Sequence, residues 1–498
     1  MLTSFSLFMR CILRLFYCLE GGNVFSKGFY LQSFFFKKRK SVMKAVILAA
    51  GKGERISKGK GKLNAESKPK PLIPMLGLSL IERAILSAKE SGICDFIIVV
   101  GHRSDEVVRY VEAKQKRLGV NIDFVENEEW EKGNGLSVLK AKEMLKGEDF
   151  VLLMCDHVFD SSILKELLGY AKNRKDKCIL CVDKPENVFD LEDGTKILLG
   201  RDKPKAIGKG LKNYNAVDCG IFYCTSAIFN ALEEEAEEGK YELSDAVQCL
   251  IDRDILEVFD IDGRFWCDID TPDSLEYAKN KMLKSLGKPT DGVISKYINR
   301  KISTKIFTPL ILKMYEEVTP NQVSLLSFGV AALSAFLFFL YHPVIGAIFI
   351  QLSSILDGCD GEIARLKKMG SGLGGFIDAI LDRYADALIL SGMFFYSLVM
   401  LSNDELFGFC HGPLTVIFIS IMAIIGSLMV SYTAARARAD LNYRYGGNRD
   451  LRLFLLFIGG LLSYFHPVSV FFSLSIVALM TNIIVMWRSA LAWKKFYG

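Results

Sequence analysis

The sequence predicts an α/β domain built on a mostly parallel sheet, followed by an all-α domain of six transmembrane helices. Three observations predict it. The chain has 498 residues, more than one hydrophobic core holds, and a prior of roughly 100 to 200 residues per domain implies two or three units. Up to Lys301 charged residues interleave with short apolar runs. From Val323 onward apolar stretches of about 20 residues recur, the length that crosses a bilayer.

In the first part strand and helix patterns alternate. Ala45 to Ala49 is apolar and rich in β formers, and Leu80 to Ser91 carries Ile81, Ala84, Ile85 and Ala88 at helical spacing before Gly92. Strand-like runs follow at Phe96 to Val100, Phe150 to Cys155, Val217 to Tyr223 and Phe265 to Ile269. Apolar strands separated by helices are those of a parallel sheet covered on both faces. A helix over Leu275 to Leu286 closes this domain, and Lys288 to Thr290 is expected to be a hinge. The expected divisions are an N-terminal extension at 1–42, an α/β domain at 43–287, a juxtamembrane linker at 288–320 and a membrane domain at 321–498.

Residues 1–42 combine an apolar run from Phe5 to Leu19 with the basic run Lys37 to Lys40. They suit either a membrane-surface segment or an upstream mis-start ahead of Met43, and the mis-start is the expectation. Val293 to Met314 is amphipathic, with Lys296, Arg300, Lys301 and Lys305 among Ile and Leu, and is expected to lie along the membrane surface.

The six spans are expected near 323–341, 344–368, 374–401, 413–436, 451–465 and 467–489. Loops after the odd spans, around His342, Asn403 to Glu405 and His466, hold no Lys or Arg. The opposite loops hold Arg365, Lys367 and Lys368, then Arg436, Arg438, Arg444, Arg449 and Arg452, then Lys494 and Lys495. The positive-inside rule then puts the N-terminal domain and both candidate sites on the cytoplasmic face of a multi-pass membrane protein.

The net charge of +5 is small for this size and argues against a nucleic-acid partner. Twelve cysteines follow no paired framework and read as reduced, buried thiols. The lone pair Cys178 and Cys181 lacks a second pair or a nearby histidine, so it reads as a buried strand rather than a zinc site.

Two motif sets carry chemistry. After the first strand comes Leu48-Ala49-Ala50-Gly51-Lys52-Gly53-Glu54-Arg55, a glycine-rich turn that brings backbone N–H groups to a triphosphate, with Arg55 to neutralise it. Lys68-Pro69-Lys70-Pro71-Leu72 follows. Together they resemble the signature of sugar-phosphate and polyol-phosphate nucleotidyltransferases, which implies a Rossmann-like nucleotidyltransferase domain with Arg55 and Lys70 in catalysis. The resemblance places magnesium carboxylates at Asp156 and at Asp268, with Asp270 as the alternative for the second. Glu131 to Ser137 and Asp156-His157 further resemble the CTP:inositol-1-phosphate cytidylyltransferases. That likeness puts Gly133, Asn134, Gly135 and Ser137 beside the nucleotide, and Lys209 and Asp218 beside the phosphoalcohol. The loop between Arg55 and Lys70, crowded with Gly, Lys and Ser from Ser57 to Ser67, is longer than is usual for such enzymes.

In the second set the chain reads Asp357-Gly-Cys-Asp360-Gly361-Glu-Ile-Ala364-Arg365, then Gly374, Asp378 and Asp382. Asp357, Asp360 and Ala364 share one helix face, and Asp378 and Asp382 share another. Carboxylates at the end of hydrophobic spans need a compensating cation, and a divalent metal pair fits them. The pattern from Asp360 resembles that of the CDP-alcohol phosphotransferases. It implies metal binding by Asp357, Asp360, Asp378 and Asp382, with Asp382 also the general base, and nucleotide contacts at Gly361, Ala364, Arg365 and Gly374. Arg449 and Arg452 suit either an acceptor phosphate or membrane anchoring. Asp386, next in the i+4 series, receives no role.

Together the two sets resemble the bifunctional enzymes that make CDP-inositol from CTP and inositol-1-phosphate and then pass the inositol phosphate to a second inositol-1-phosphate. The implied cofactor is Mg²⁺, with Mn²⁺ an option at the membrane site, and the implied partners are the lipid bilayer and a second copy in a homodimer. A phospholipid synthase, or a phosphotransferase with a degenerate regulatory N-terminal domain, is the alternative.

Overall fold

The computed structural model describes residues 43–57, 68–174, 176–201, 203–287, 291–402, 412–443, 445 and 449–497. The expectations for residues 1–42, for most of the loop to Ser67, for the hinge at Lys288 to Thr290, for the loop at Asn403 to Glu405 and for Arg444 lie outside them. The chain divides into two compact units, one closing at Met282 and the other running Leu283–Gly498.

The first unit contains β1 (Lys44–Ala49), β2 (Pro74–Met75), β3 (Leu78–Ser79), β4 (Asp95–Val100), β5 (Asn121–Glu126), β6 (Phe150–Met154), β7 (His157–Phe159), β8 (Cys178–Asp183), β9 (Lys196–Leu199), β10 (Pro204–Gly208), β11 (Ala216–Cys224), β12 (Leu256–Asp260) and β13 (Trp266–Asp268). Its helices are α1 (Leu80–Glu90), α2 (Ser104–Leu118), α3 (Asn134–Lys140), α4 (Ser161–Ala171), α5 (Ala227–Glu237), α6 (Leu243–Asp252) and α7 (Pro272–Lys284).

A nine-stranded sheet runs β10-β9-β11-β6-β1-β4-β5, with β8 and β12 attached beside β11. β6, β1, β4 and β5 are parallel, β12 is parallel to β8, and β11 runs antiparallel to β6. The alternation in β1 explains its central place: Ala45, Ile47 and Ala49 belong to the core on one face, Val46 and Leu48 to the core on the other. A strand buried on both sides must be apolar throughout. Helix α1 starts where Ser79 and Glu82 form a capping box, which satisfies two of the N–H groups that a helix start leaves without partners. Cys178 and Cys181 lie in the buried strand β8, as the sequence suggests, and both are free thiols.

One expected core strand is different. The run Phe265 to Ile269 forms only the three-residue β13, paired with β7 in a separate two-stranded sheet. Asp268 is the reason: a polar strand end belongs at a site wall rather than in the middle of a sheet.

In the second unit a helical stretch with π-turns at Ser295–Asn299 and Ser303–Phe307 leads into α8 (Thr308–Met314). Then come α9 (Pro320–Phe339), α10 (Pro343–Leu366), α11 (Gly372–Ser402), α12 (Pro413–Leu441), α13 (Arg449–Leu462) and α14 (Val468–Tyr497). All six expected helices form among the described residues, but only five are long and apolar enough to cross a membrane. The fifth, α13, has 14 residues, roughly 21 Å at 1.5 Å per residue, short of the ~30 Å hydrocarbon core. Its first turn is spent on Arg449, Asp450 and Arg452, which are held by polar partners, so the apolar part is shorter still. Gly460 instead lets α13 approach α10 closely, because a Cβ there would come within 2.6 Å of that of Ala347.

The amphipathic segment is helical as expected, and its polar face is packed on α10. Glu362 is 0% exposed and accepts from Arg300 Nη1 at 2.7 Å, Ser303 Oγ at 2.5 Å and Thr308 Oγ1 at 2.6 Å. Asn299 Nδ2 donates to Ser354 Oγ at 3.0 Å, and Arg300 also pairs with Asp291 at 3.1 Å.

Candidate active sites, one in each unit

The first site lies at the ends of β1, β6 and β13 around a cavity of about 660 Å³, within the range of small-molecule pockets. The glycine-rich turn crosses its floor. Gly53 has φ +67°, and a Cβ there would come within 2.6 Å of Lys70 Cβ, so the turn's conformation and the lysine's position require each other. Pro69 and Pro71 flank Lys70 in a tight 3₁₀ turn that buries it to 8% exposure. Its ammonium donates to Asp156 Oδ2 at 2.5 Å and to Asp270. Arg55 Nη2 lies 3.0 Å from Asp270 Oδ2, and Arg55 also pairs with Asp193.

Asp156 follows β6, and His157 Nδ1 lies 2.9 Å from its Oδ1. Asp268 is brought alongside by the pairing of β13 with β7, which sets it opposite His157. Asp268 Oδ1 is buried without a hydrogen-bond partner.

The electrostatics follow from burial set against neighbours. Burial alone lowers the Lys70 pKa, but Asp156, Asp268 and Asp270 outweigh it and hold the ammonium far above its ordinary range. Burial penalises the Asp156 carboxylate, yet Lys70 and His157 hold it well below the usual range. His157 is raised to about 9, its burial overcome by Asp268 and Asp156. Asp268 is raised to about 6 by burial, against the pull of His157. Asp218 is raised to about 6, mainly by burial, while its bond from the Gly220 N–H opposes the shift.

Leu48, Ala50, Gly51, Gly53, Arg55, Lys70, Gly133, Asn134, Ser137, Asp156, Lys209, Asp218 and Asp268 all line this cavity. Ala49 and Gly135 do not. Ala49 pairs with Val100 inside the sheet, and Gly135 lies beneath the loop, where a Cβ would strike the backbone of Tyr241. Asn134 Oδ1 accepts from Leu243 N at 2.8 Å, and Ser137 Oγ accepts from Asn127 Nδ2 at 2.9 Å, so both help hold the loop they line.

The second site lies at the ends of α10 and α11. Asp357, Asp360 and Asp378 each offer a carboxylate oxygen, all within 4.8 Å of one another. Asp360 also accepts from Ser324 Oγ and from the Gly361 N–H. Arg449 Nη1 lies 2.9 Å from both Asp357 Oδ2 and Asp382 Oδ1. Asp382 also takes Arg383 at 3.3 Å. Arg365 Nη2 donates to Leu286 O at 3.0 Å, and Gly374 N to Ser371 Oγ at 2.9 Å.

Residues 44–285 match the nucleotidyl transferase family, and residues 317–493 match the CDP-alcohol phosphatidyltransferase family. A bifunctional IPC transferase and DIPP synthase of Thermococcus kodakarensis is 33% identical over 426 residues, covering 83% of this chain and 89% of that protein. One of Archaeoglobus fulgidus is 34% identical over 481 residues, covering 94% and 88%. The chain belongs to the family of bifunctional IPC transferases and DIPP synthases. The solved inositol-1-phosphate CTP transferase from T. maritima is 26% identical, with a TM-score of 0.43, over 49% of this chain and 95% of that one.

Within this chain the motifs leave several site residues unnamed. Asp193 meets Arg55 from a distant loop, and Trp130 lines the cavity; neither belongs to a motif. Asp386 accepts from Arg449 Nε at 2.9 Å and from Arg452 Nη2 at 3.2 Å. Its i+4 spacing from Asp382 was the available signal. Glu362 sits inside the motif at a variable position, where only its full burial marks it.

Proposed function

We propose that the protein makes CDP-inositol and diphosphate from CTP and inositol-1-phosphate, and that its membrane unit then transfers inositol phosphate from CDP-inositol to a second inositol-1-phosphate, releasing CMP. The observation that carries this reading is the pair of separate carboxylate sites, one per unit, each with its own buried cationic side chains. Membership in the bifunctional family supports the order of the two transfers.

In the first unit Lys70 and Arg55 neutralise the triphosphate, and the turn from Ala50 to Gly53 holds it by backbone N–H groups. Lys209 and Asp218 hold the phosphoalcohol. Asp156 and Asp268 would hold Mg²⁺, and the buried Oδ1 of Asp268, which accepts no hydrogen bond, fits such a hard cation. In the second unit Asp357, Asp360, Asp378 and Asp382 would hold Mg²⁺ or Mn²⁺, for which three converging carboxylates are a suitable donor set. When bound, the metal supplies charge neutralisation at the phosphates under displacement. Asp382 takes the proton from the attacking hydroxyl. Arg449, at the carboxylate cluster, stands ready for the acceptor's phosphate, whereas Arg452 is 3% exposed and committed to Asp386 and the Ser427 carbonyl. The basic loops support a cytoplasmic placement of both sites.

The test is ³¹P NMR of the purified protein in detergent with CTP, Mg²⁺ and inositol-1-phosphate. Resonances of a CDP-alcohol followed by a new phosphodiester and CMP are expected. A CDP-alcohol without the diester would point to a lipid acceptor, and no reaction would reject inositol phosphate as the substrate. Asp156→Asn should abolish the first step and spare transfer from supplied CDP-inositol; Asp382→Asn should do the reverse.

A further inference from the structure

Arg449 poses a difficulty for the second site. A guanidinium stays protonated in a protein, and this one lies 2.9 Å from oxygens of Asp357 and Asp382, so it competes with a divalent cation for the same carboxylates. Its third partner is Asp386, which is 3% exposed and accepts from Nε at 2.9 Å. Asp386 is itself anchored from the far side. Arg452 Nη2 donates to its second oxygen at 3.2 Å, while Arg452 Nη1 is fixed on the Ser427 carbonyl at 2.8 Å. The chain Ser427–Arg452–Asp386–Arg449 therefore crosses from α12 through α13 to α11 and back to α13, and ends at the carboxylate cluster.

We propose that Asp386 is a positioning residue that gives Arg449 a carboxylate partner outside the cluster, so that a divalent cation can take Asp357 and Asp382 from it without stranding a buried charge. This rests on the reading that the cluster binds metal. With Asn at 386 the acceptor for Nε is neutral, and the carboxylates nearest Arg449 are Asp357 and Asp382 alone. A cation that takes those two carboxylates then leaves the buried guanidinium without an anionic partner, so the guanidinium gives them up less readily. Arg452 loses its carboxylate in the same change, so both links of the chain to Arg449 are broken.

The experiment measures Mn²⁺ binding by electron paramagnetic resonance to the full chain in detergent, in an Asp156→Asn background that removes a carboxylate of the first unit's metal site. Asp386→Asn is expected to weaken Mn²⁺ binding by about 10- to 100-fold, the usual effect of losing an outer partner of a metal ligand. Asp386→Asn with Arg449→Gln is expected to recover most of it, because the competitor is gone; a merely structural role of Asp386 predicts no recovery. Unchanged affinity in Asp386→Asn, or a double variant as weak as the single, overturns the proposal. If Asp386→Asn does not fold, Arg449→Gln alone decides: binding at least as tight as the background supports the proposal and weaker binding overturns it. Should Asp360→Asn leave Mn²⁺ binding untouched, the cluster is not the metal site, and the inference falls together with the reading beneath it.

Discussion

Lys70 shows how one residue organises the first site. Its ammonium is buried between Asp156 and Asp270, where removing a single partner strands the others. Lys70→Ala is expected to lower CDP-inositol formation by about 10²- to 10³-fold, the usual effect of losing one electrostatic stabiliser, measured as diphosphate release, with transfer from supplied CDP-inositol unchanged. Asp218 makes a prediction with a sign. Burial raises its pKa from 3.8 to about 6, so the folded protein binds that proton more tightly than the unfolded chain does, and stability falls as pH rises through that interval. Asp218→Asn should therefore raise the melting temperature of the first unit at pH 8. It should also raise the KM for inositol-1-phosphate there, because in the proposed reading the Asp218 carboxylate holds the phosphoalcohol and the neutral amide is a weaker acceptor. In the parent the same KM should climb as pH falls below about 6, and comparison with the variant separates this from the substrate phosphate's own ionisation. Motifs made Arg55, Lys70 and Asp156 legible, since turn, lysine and strand end lie at recognisable spacings. Asp268 and Asp270 differ in their surroundings: Asp268 Oδ1 accepts no hydrogen bond, and Asp270 is clasped by Lys70 and Arg55. Asp193 and Asp386 were illegible as site residues because their partners are far away in the chain.

At the scale of elements, the loop before α3 is set by close approach. Gly133 has φ +153°, and a Cβ there would run into the carbonyl of Tyr241. Gly133→Ala is expected to shift the start of α3 and to raise the KM for CTP about tenfold, the counterpart of ~1.4 kcal/mol, with little change in the KM for inositol-1-phosphate. In the second unit Glu362 joins the juxtamembrane helix to α10 through three donors. Glu362→Ala is expected to cost about 3 kcal/mol, since Arg300 then keeps a buried charge with one carboxylate fewer, and thermal unfolding in detergent reads the loss. Hydropathy located this helix and its basic face, and it located all six later helices, although α12 and α14 run past their expected ends at 436 and 489 to Leu441 and Tyr497. It could not show that Asn299, Ser303 and Thr308 face protein, because a polar residue buried against a polar partner looks in sequence like one facing water. Nor could it show that α13 has only 14 residues, because an apolar window does not reveal that Arg449 and Arg452 take its first turn.

For the whole molecule, the division into two compact units agrees with two family matches in which each half carries its own charged site. A fragment of residues 43–287 is expected to form CDP-inositol without the membrane unit, and a fragment of residues 291–498 in detergent to release CMP from supplied CDP-inositol and inositol-1-phosphate. Nucleotide-coupled assays of each check this, and dependence of either activity on the other fragment would refute it.

The polar clasp around Glu362 sets where such a chain can be cut. Hydropathy invites a cut just ahead of Pro320, at the first long apolar helix, yet Asp291, Arg300, Ser303 and Thr308 belong energetically to the membrane helices. A protease site introduced among residues 288–290 should release two working halves, whereas a membrane fragment that begins near residue 317 would lack the donors of Glu362. Any graft of a different nucleotide-activating domain onto this membrane half therefore has to carry residues 291–319 as part of the recipient, not the donor.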